Sequence, residues 1–197
     1  MALAVPTDAL DGPVPAELEA ISSGADKSFD AIQSKDWSAA AAGARDARAA
    51  WNDYRAGEVP PRLAAEMARA QVELSRAIDK RDIAQAGTAA IDVGQSTLDL
   101  ELRYLPPAEI DVARMDLWAR QILVDAPAKD LGGITGDVAT LEWIRDRFTP
   151  ILDPADLTRI DAHLLELQGS VADKDAAMAR EEAANLRDTL AGLAPPR

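Results

Sequence analysis

The sequence predicts an all-α protein of about eight helices, arranged as four antiparallel helical hairpins. Apolar residues recur every three or four positions through most of the chain, the spacing that one face of a helix requires. No stretch shows the sustained period-two alternation of a half-buried strand. A short motif, Lys followed at once or after one residue by Asp, also returns at intervals of 46, 48 and 45 residues. A period of this size is typical of repeat architectures.

The Lys–Asp motif fits the connection between two antiparallel helices. The last turn of a helix carries unpaired carbonyls and a partial negative charge, which a Lys side chain stabilises. An Asp accepts hydrogen bonds from the unpaired N–H groups of the next helix and therefore caps its start. We predict a helix start directly after each motif Asp; these residues are Asp36, Asp82, Asp130 and Asp175.

Prolines mark the boundaries between hairpins, because proline suits the first turn of a helix and cannot continue one. They are Pro60 with Pro61, Pro106 with Pro107, Pro150 with Pro154, and Pro195 with Pro196. We expect residues 1–13 to form an N-terminal tail and residues 14–197 a single domain of helical hairpins. The predicted units cover about 14–59, 60–105, 106–152 and 153–193.

The first two units follow this plan regularly. The second helix of the first unit begins after Asp36 with a run of alanines, which lets another helix approach closely. The second unit opens at Pro61, and Asp82 caps its second helix. That helix contains Gly87 and Gly94, so we expect either weakened helix propensity or close packing there.

The third unit departs from the plan at its turn, where Ala126-Pro127-Ala128 lengthens the connection. Three glycines within 132–136 follow Asp130, and glycine lowers helix propensity, so we expect a loose loop or a frayed first turn. The fourth unit opens with Asp153 as cap and Pro154 as first helical residue. The pattern leaves open whether the four hairpins stack as a repeat or fold into a bundle.

The stretch Lys35-Asp36-Trp37-Ser38-Ala39-Ala40 resembles the inter-helix turn of tetratricopeptide repeats, where a polar pair, an aromatic residue and a downstream Ala recur. The match covers the turn and the alanine after it, and the unit here is longer, about 45 residues against about 34 in that family. The resemblance implies an architecture of helical hairpins.

Composition narrows the function classes. The formal net charge of −13 argues against binding a nucleic acid backbone or an anionic membrane surface, and it is compatible with cationic partners, metal ions or simple solubility. The absence of cysteine excludes disulfides, zinc–thiolate sites and cysteine nucleophiles. No apolar run approaches the roughly 20 residues that span a bilayer, so we expect no membrane insertion. No nucleophile–base pattern or phosphate loop is present, and we expect no enzyme.

Four large aromatic side chains are candidates for contact with a partner. These are Trp51, Tyr54, Trp118 and Trp143. Trp51 and Tyr54 share one helical face. Packing between neighbouring hairpins explains such residues as well as an aromatic binding groove does.

His163 is the only histidine, and with Glu166 it forms a His-x-x-Glu pair on one helical face, a spacing that metal sites on helices use. The pair also resembles the His-x-x-Glu of imelysin-like helical proteins, a resemblance that implies a role in bacterial iron uptake. A metal needs further ligands, which carboxylates of other units have to supply. A partly exposed histidine on a polar flank is the simpler interpretation.

We therefore expect a non-catalytic helical binding or scaffold protein that engages a protein or peptide partner and has no cofactor. The alternative is a metal-binding or metal-delivery helical bundle, in which His163, Glu166 and neighbouring carboxylates hold a divalent ion. Abundant Arg, Ala and Asp suggest a bacterium with a GC-rich genome. The compartment stays open between the bacterial cytoplasm and the cell envelope after signal removal.

Overall fold

The computed structural model describes residues 10–148 and 152–193. These residues form eight α-helices and no strand, which confirms the predicted all-α class. The helices are α1 (Ala16–Gln33), α2 (Trp37–Tyr54), α3 (Pro61–Lys80), α4 (Ile83–Glu101), α5 (Pro107–Ala128), α6 (Leu131–Phe148), α7 (Pro154–Ala172) and α8 (Ala176–Ala191). The predicted prolines at 150, 195 and 196 and positions 1–9 of the predicted tail lie outside the described residues.

All four hairpin turns have the same backbone conformation. One residue with a left-handed backbone follows the first helix of each pair, with φ between 55° and 61°; these residues are Lys35, Arg81, Lys129 and Lys174. In the first turn, the N–H of Lys35 donates to the carbonyl of Ile32 (3.0 Å) and the N–H of Asp36 donates to the carbonyl of Ala31 (2.8 Å). The other three turns contain the equivalent pair of bonds. This is the Schellman arrangement, which satisfies carbonyls at a helix end.

The Asp of each turn then caps the second helix, as the sequence predicts. The Oδ1 atom of Asp36 accepts from the N–H of Ala39 at 3.0 Å, and Asp82, Asp130 and Asp175 accept in the same way at 2.9–3.0 Å. The predicted position of the Lys, in the last turn of the first helix, is wrong for three of the four turns. In three turns the Lys lies beyond the helix end in the left-handed position, and in the second turn Arg81 takes that position while Lys80 ends the helix.

The third turn is as tight as the others, so the expected loose loop is wrong. Helix α5 continues through Pro127 to Ala128, and α6 begins at Leu131 directly after the cap. The Oδ1 atom of Asp130 accepts from the N–H of Gly133 at 2.9 Å, which fixes the first turn despite its glycines. Capping and Schellman bonds here outweigh low helix propensity.

The hairpins close in pairs into two four-helix groups. In the first group α1 packs against α2 and α4, and α3 packs against α4. In the second group α5 packs against α6 and α8, and α7 packs against α8. Two separate apolar cores correspond to the two groups. Helices α4 and α5 also contact each other and join the groups.

Helix α5 joins the groups because it is apolar on two faces. Ile110, Leu117 and Val124 are buried in the core of the first group. Met115 and Ile122 are buried in the core of the second. A helix with two apolar faces packs between two layers, whereas a single stripe faces only one. The junction of α1, α4 and α5 is therefore the place where the two groups meet.

Candidate functional site

The structure places the four candidate aromatic residues in different surroundings. Trp51 is only 2% exposed in the first core, and Tyr54 is half-buried beside it, with ring centroids 6.2 Å apart. Trp118 is half-buried against the second core. Trp143 is 60% exposed, with the guanidinium of Arg147 lying 4.8 Å from its ring centroid. Trp51 and Trp118 thus pack within the helical groups. Trp143 is the one of these three tryptophans that exposes most of its ring to solvent.

Tyr54 takes part in a polar contact between the two hairpins of the first group. Its hydroxyl lies 3.4 Å from the hydroxyl of Tyr104, within hydrogen-bond distance. Burial, followed by the hydrogen bond with Tyr104, raises the pKa of Tyr54 to about 12. The hydroxyl therefore stays protonated and serves as a hydrogen-bonding group between α2 and the end of α4.

Both ring nitrogens of His163 contact side chains of α8. Its Nδ1 atom contacts the carboxylate of Glu182, and its Nε2 atom lies 2.8 Å from the hydroxyl of Thr189. Glu166 is exposed and makes no hydrogen bond or ion pair with a described side chain. Within residues 10–148 and 152–193, no three His, Asp or Glu side chains come together as a group that could hold a metal ion.

Thr189, His163 and Glu182 form the same sequence of hydrogen bonds as a hydroxyl nucleophile, its base and an orienting carboxylate. Acyl-transfer chemistry also needs N–H donors aimed at the developing oxyanion. The backbone N–H groups around Thr189 belong to helix α8 and are used in its hydrogen bonds. The three side chains therefore join α7 to α8.

A groove of about 620 Å³ lies at the junction of α1, α4 and α5. Its apolar part includes Gly94, Leu98, Ala113 and Leu117. A Cβ atom on Gly94 would lie 3.1 Å from both Cδ atoms of Leu117, which is tighter than ordinary packing. Glycine at this position therefore lets α4 and α5 approach closely beside the groove.

Arg120 holds the middle of the groove together. Its side chain contacts the carboxylate of Asp26 on α1 and lies 2.7 Å from that of Asp116 on α5. The guanidinium also lies 5.4 Å from the ring centroid of Phe29. Arg187 of α8 binds Asp116 from the other side at 2.8 Å. This network of charges connects α1, α5 and α8, and it fixes the two four-helix groups relative to each other.

Three further carboxylates line the groove without an ion-pair partner among the described residues; these are Glu19, Asp30 and Glu101. Glu101 is only 7% exposed. Burial raises the pKa of Glu101, a hydrogen bond with Ser22 lowers it, and the charge of Glu19 raises it again. One end of the groove therefore holds two neighbouring acids and no cation.

Sequence reasoning missed this groove, although one signal for it was present. Glu101 lies three residues after Leu98 and seven after Gly94, so it belongs to the face of α4 that packs against its neighbours. An acidic residue at such a position indicates a buried polar site. Arg120 and Asp116 are likewise one helical turn apart, but their partner Asp26 lies 94 residues from Arg120 in sequence.

Comparison with known proteins adds no relative. No family model, no curated protein and no solved structure matches the chain. The resemblances to tetratricopeptide repeats and to imelysin-like proteins therefore stay predictions. No helix in the described part of the chain is long and apolar enough to cross a membrane.

Proposed function

We propose that this chain is a non-catalytic binding protein, which holds a segment of a protein or peptide partner in the groove between α1, α4 and α5. The observation that carries the proposal is the groove itself, which combines an apolar floor with the buried carboxylate of Glu101 and more exposed acids around it. Binding sites are typically concave and apolar, with a few polar groups that fix the orientation of the ligand.

The size of the groove supports a polymeric partner. Its lining residues on α1 extend from Glu19 to Asp30. At 1.5 Å per helical residue this distance is about 16 Å, the length of about three turns of helix. A groove of this length accommodates a peptide segment laid along it, and helix-in-groove binding is a common mode of recognition.

The rigidity of the walls also supports binding. The ion pairs of Arg120 fix α1 against α5, and Gly94 sets the close approach of α4 to α5. A surface that is already formed before binding loses little conformational entropy when the partner arrives. The groove lies between helices that belong to both cores, so it does not depend on a single hairpin.

A peptide display selection tests the proposal. A library of random 16-residue peptides is selected on the immobilised protein, and the dissociation constant of each enriched peptide is measured by fluorescence anisotropy. Ser23→Trp fills the groove from an exposed position of α1, and Ala65→Trp places the same ring on the exposed face of α3 as a matched control.

We expect Ser23→Trp to weaken binding at least tenfold and Ala65→Trp to leave it unchanged within twofold. Thermal unfolding of both variants checks that each is folded. If the enriched peptides bind Ser23→Trp as tightly as the unmodified protein, or if no peptide is enriched, the proposed function is wrong.

A further inference from the structure

We propose that the segment bound in this groove is basic, and that one of its Arg or Lys side chains enters between Glu19 and Glu101. The inference rests on the proposed function and names the chemistry of the partner. It follows from the charges that line the groove, from the burial of Glu101 and from the shape of the apolar floor.

The groove carries more negative than positive charge. Five of its lining residues are acidic and two are basic; these are Glu19, Asp26, Asp30, Glu101 and Asp116, with Lys27 and Arg120. Arg120 is already bound by Asp26 and Asp116. Lys27 is exposed to solvent and lies eight residues, more than two helical turns, after Glu19 on α1. The end formed by Glu19 and Glu101 is therefore an uncompensated anionic site inside a chain whose net charge is −13.

Glu101 is the natural anchor for a cation. Its side chain is 7% exposed, lies in the lining of the groove with Ser22, and makes no ion pair with a described residue. Glu101 is also the last residue of α4, where the helix carries its partial negative charge. A buried carboxylate in this position costs free energy that a guanidinium or ammonium group would recover.

The apolar floor fits the rest of a basic side chain. Leu98 lies three residues before Glu101 on α4, and Leu117 continues the apolar floor beside Gly94. Arg and Lys bury their aliphatic stems along such surfaces while the charged group reaches a carboxylate. A small inorganic cation does not use this floor, and the groove residues include no group of three acids placed to coordinate one. A basic peptide satisfies both the acids and the leucines.

The test uses a fluorescein-labelled amphipathic peptide of Arg and Leu, spaced so that its arginines recur every four residues. In a matched peptide every Arg is replaced by citrulline, which keeps the shape and hydrogen bonds and removes the charge. Binding is measured by fluorescence anisotropy at about 0.15 M salt, where charges more than about 8 Å apart are largely screened. Variants Glu19→Gln and Glu101→Gln remove the proposed anchors, and Glu17→Gln removes an exposed acid of α1 outside the groove.

We expect the arginine peptide to bind at least tenfold more tightly than the citrulline peptide. Glu101→Gln and Glu19→Gln should each reduce the affinity of the arginine peptide by about tenfold, and Glu17→Gln should leave it unchanged. Because Glu19 is exposed, Glu19→Gln keeps the test valid even if Glu101→Gln does not fold.

The possible failures separate the two proposals. If both peptides bind equally and Ser23→Trp weakens both, the groove binds peptides but the basic partner is wrong. If Glu17→Gln weakens binding as much as Glu101→Gln does, the attraction belongs to the whole surface, and the anchoring site is wrong. If neither peptide responds to Ser23→Trp, the anchoring site is wrong, and the display selection decides separately on the proposed function.

Discussion

The hairpins α1–α2 and α5–α6 have the same turn but different interiors. In α1–α2 the backbones themselves meet, because a Cβ atom on Gly43 would lie 2.7 Å from the carbonyl oxygen of Gly24. In α5–α6 a Cβ atom on Gly133 would instead collide with the carboxylate of Asp125. The glycine therefore makes room for helix backbone in the first hairpin and for an acidic side chain in the third.

Asp137 of α6 is a second difference between the interiors of the two hairpins. It is only 4% exposed, and its Oδ2 atom has no hydrogen-bond partner among the described residues. Burial, followed by the charge of Asp125, raises the pKa of Asp137 to about 8. One hairpin is thus stabilised by close backbone packing, and the other contains a carboxyl group whose charge depends on pH. An identical turn conformation and helix cap therefore do not determine which groups pack between the two helices.

Replacing the packed glycine should have the largest effect on stability. Gly43→Ala places a methyl group against the backbone oxygen of Gly24 and the backbone nitrogen of Ser28, and neither can rotate away. We expect a loss of about 3 kcal/mol in the free energy of unfolding, the upper end for overpacking. The matched change Gly136→Ala, in open space on α6, should gain up to about 1 kcal/mol. Urea denaturation measures both, and equal effects would contradict the packing difference.

The buried acid should give the third hairpin a measurable dependence on pH. The folded pKa of Asp137 lies above the unfolded value, so the native state holds an extra proton between about pH 4 and pH 8. The stability that the protonated group contributes is complete below the unfolded pKa and is lost as the pH rises through the folded one. Asp137→Asn keeps the shape of the neutral acid, so we expect it to remove a loss of about 3 kcal/mol between pH 5.5 and pH 8.5.

Denaturation midpoints at the two pH values test this difference. Gly43→Ala is the control, because it lowers stability in the other hairpin and should retain the slope of the unmodified protein. An unchanged slope in Asp137→Asn would show that Asp137 does not titrate as the structure indicates.

Replacing the capping aspartate should lower the free energy of unfolding equally in both hairpins, because the two caps make the same hydrogen bond. Asp36→Ala and Asp130→Ala each remove an acceptor for one N–H in the first turn of a helix. We expect each to reduce the free energy of unfolding by about 1 kcal/mol. Denaturation in urea compares them directly. A much smaller loss for Asp130→Ala would mean that the third turn is held by something other than its cap.

Replacing a residue that has a left-handed backbone should have the smallest effect on the free energy of unfolding. Lys129 has φ 57°, a conformation that is unfavourable for a residue with a Cβ atom and easy for glycine. We expect Lys129→Gly to raise the free energy of unfolding by about 0.5 kcal/mol, after the entropy cost of glycine is subtracted. Lys80→Gly, in the last turn of α3, should instead lower it by up to about 1 kcal/mol. Equal signs for the two changes would contradict the assigned turn geometry.

The features that could be predicted from the sequence are those set by local chemistry. The four Asp caps and the helix starts at Pro61, Pro107 and Pro154 depend on residues within one helical turn, so they are visible in a single sequence. The left-handed backbone at Lys35 was not visible, because glycine is the usual residue there and lysine gives no signal for it.

The features that could not be predicted depend on distant parts of the chain. The pairing of α1 with α4 and the second apolar face of α5 are properties of tertiary packing. The sequence predicts that His163 pairs with Glu166 on its own helix. In the structure its partners are Glu182 and Thr189, which lie on α8. The candidate site likewise combines residues of three helices, and no spacing along the chain indicates that they meet.

Hydrogen exchange on the protein with and without the arginine–leucine peptide tests the central claim, that binding takes place at the junction of the two four-helix groups. We expect the peptide to slow exchange in 16–33, 83–101 and 107–128, whose helices line the groove. Segments 131–147 and 154–172 should exchange at the same rate in both samples. Slowed exchange confined to α6 around the exposed Trp143, with no change in α1 or α4, would contradict the account.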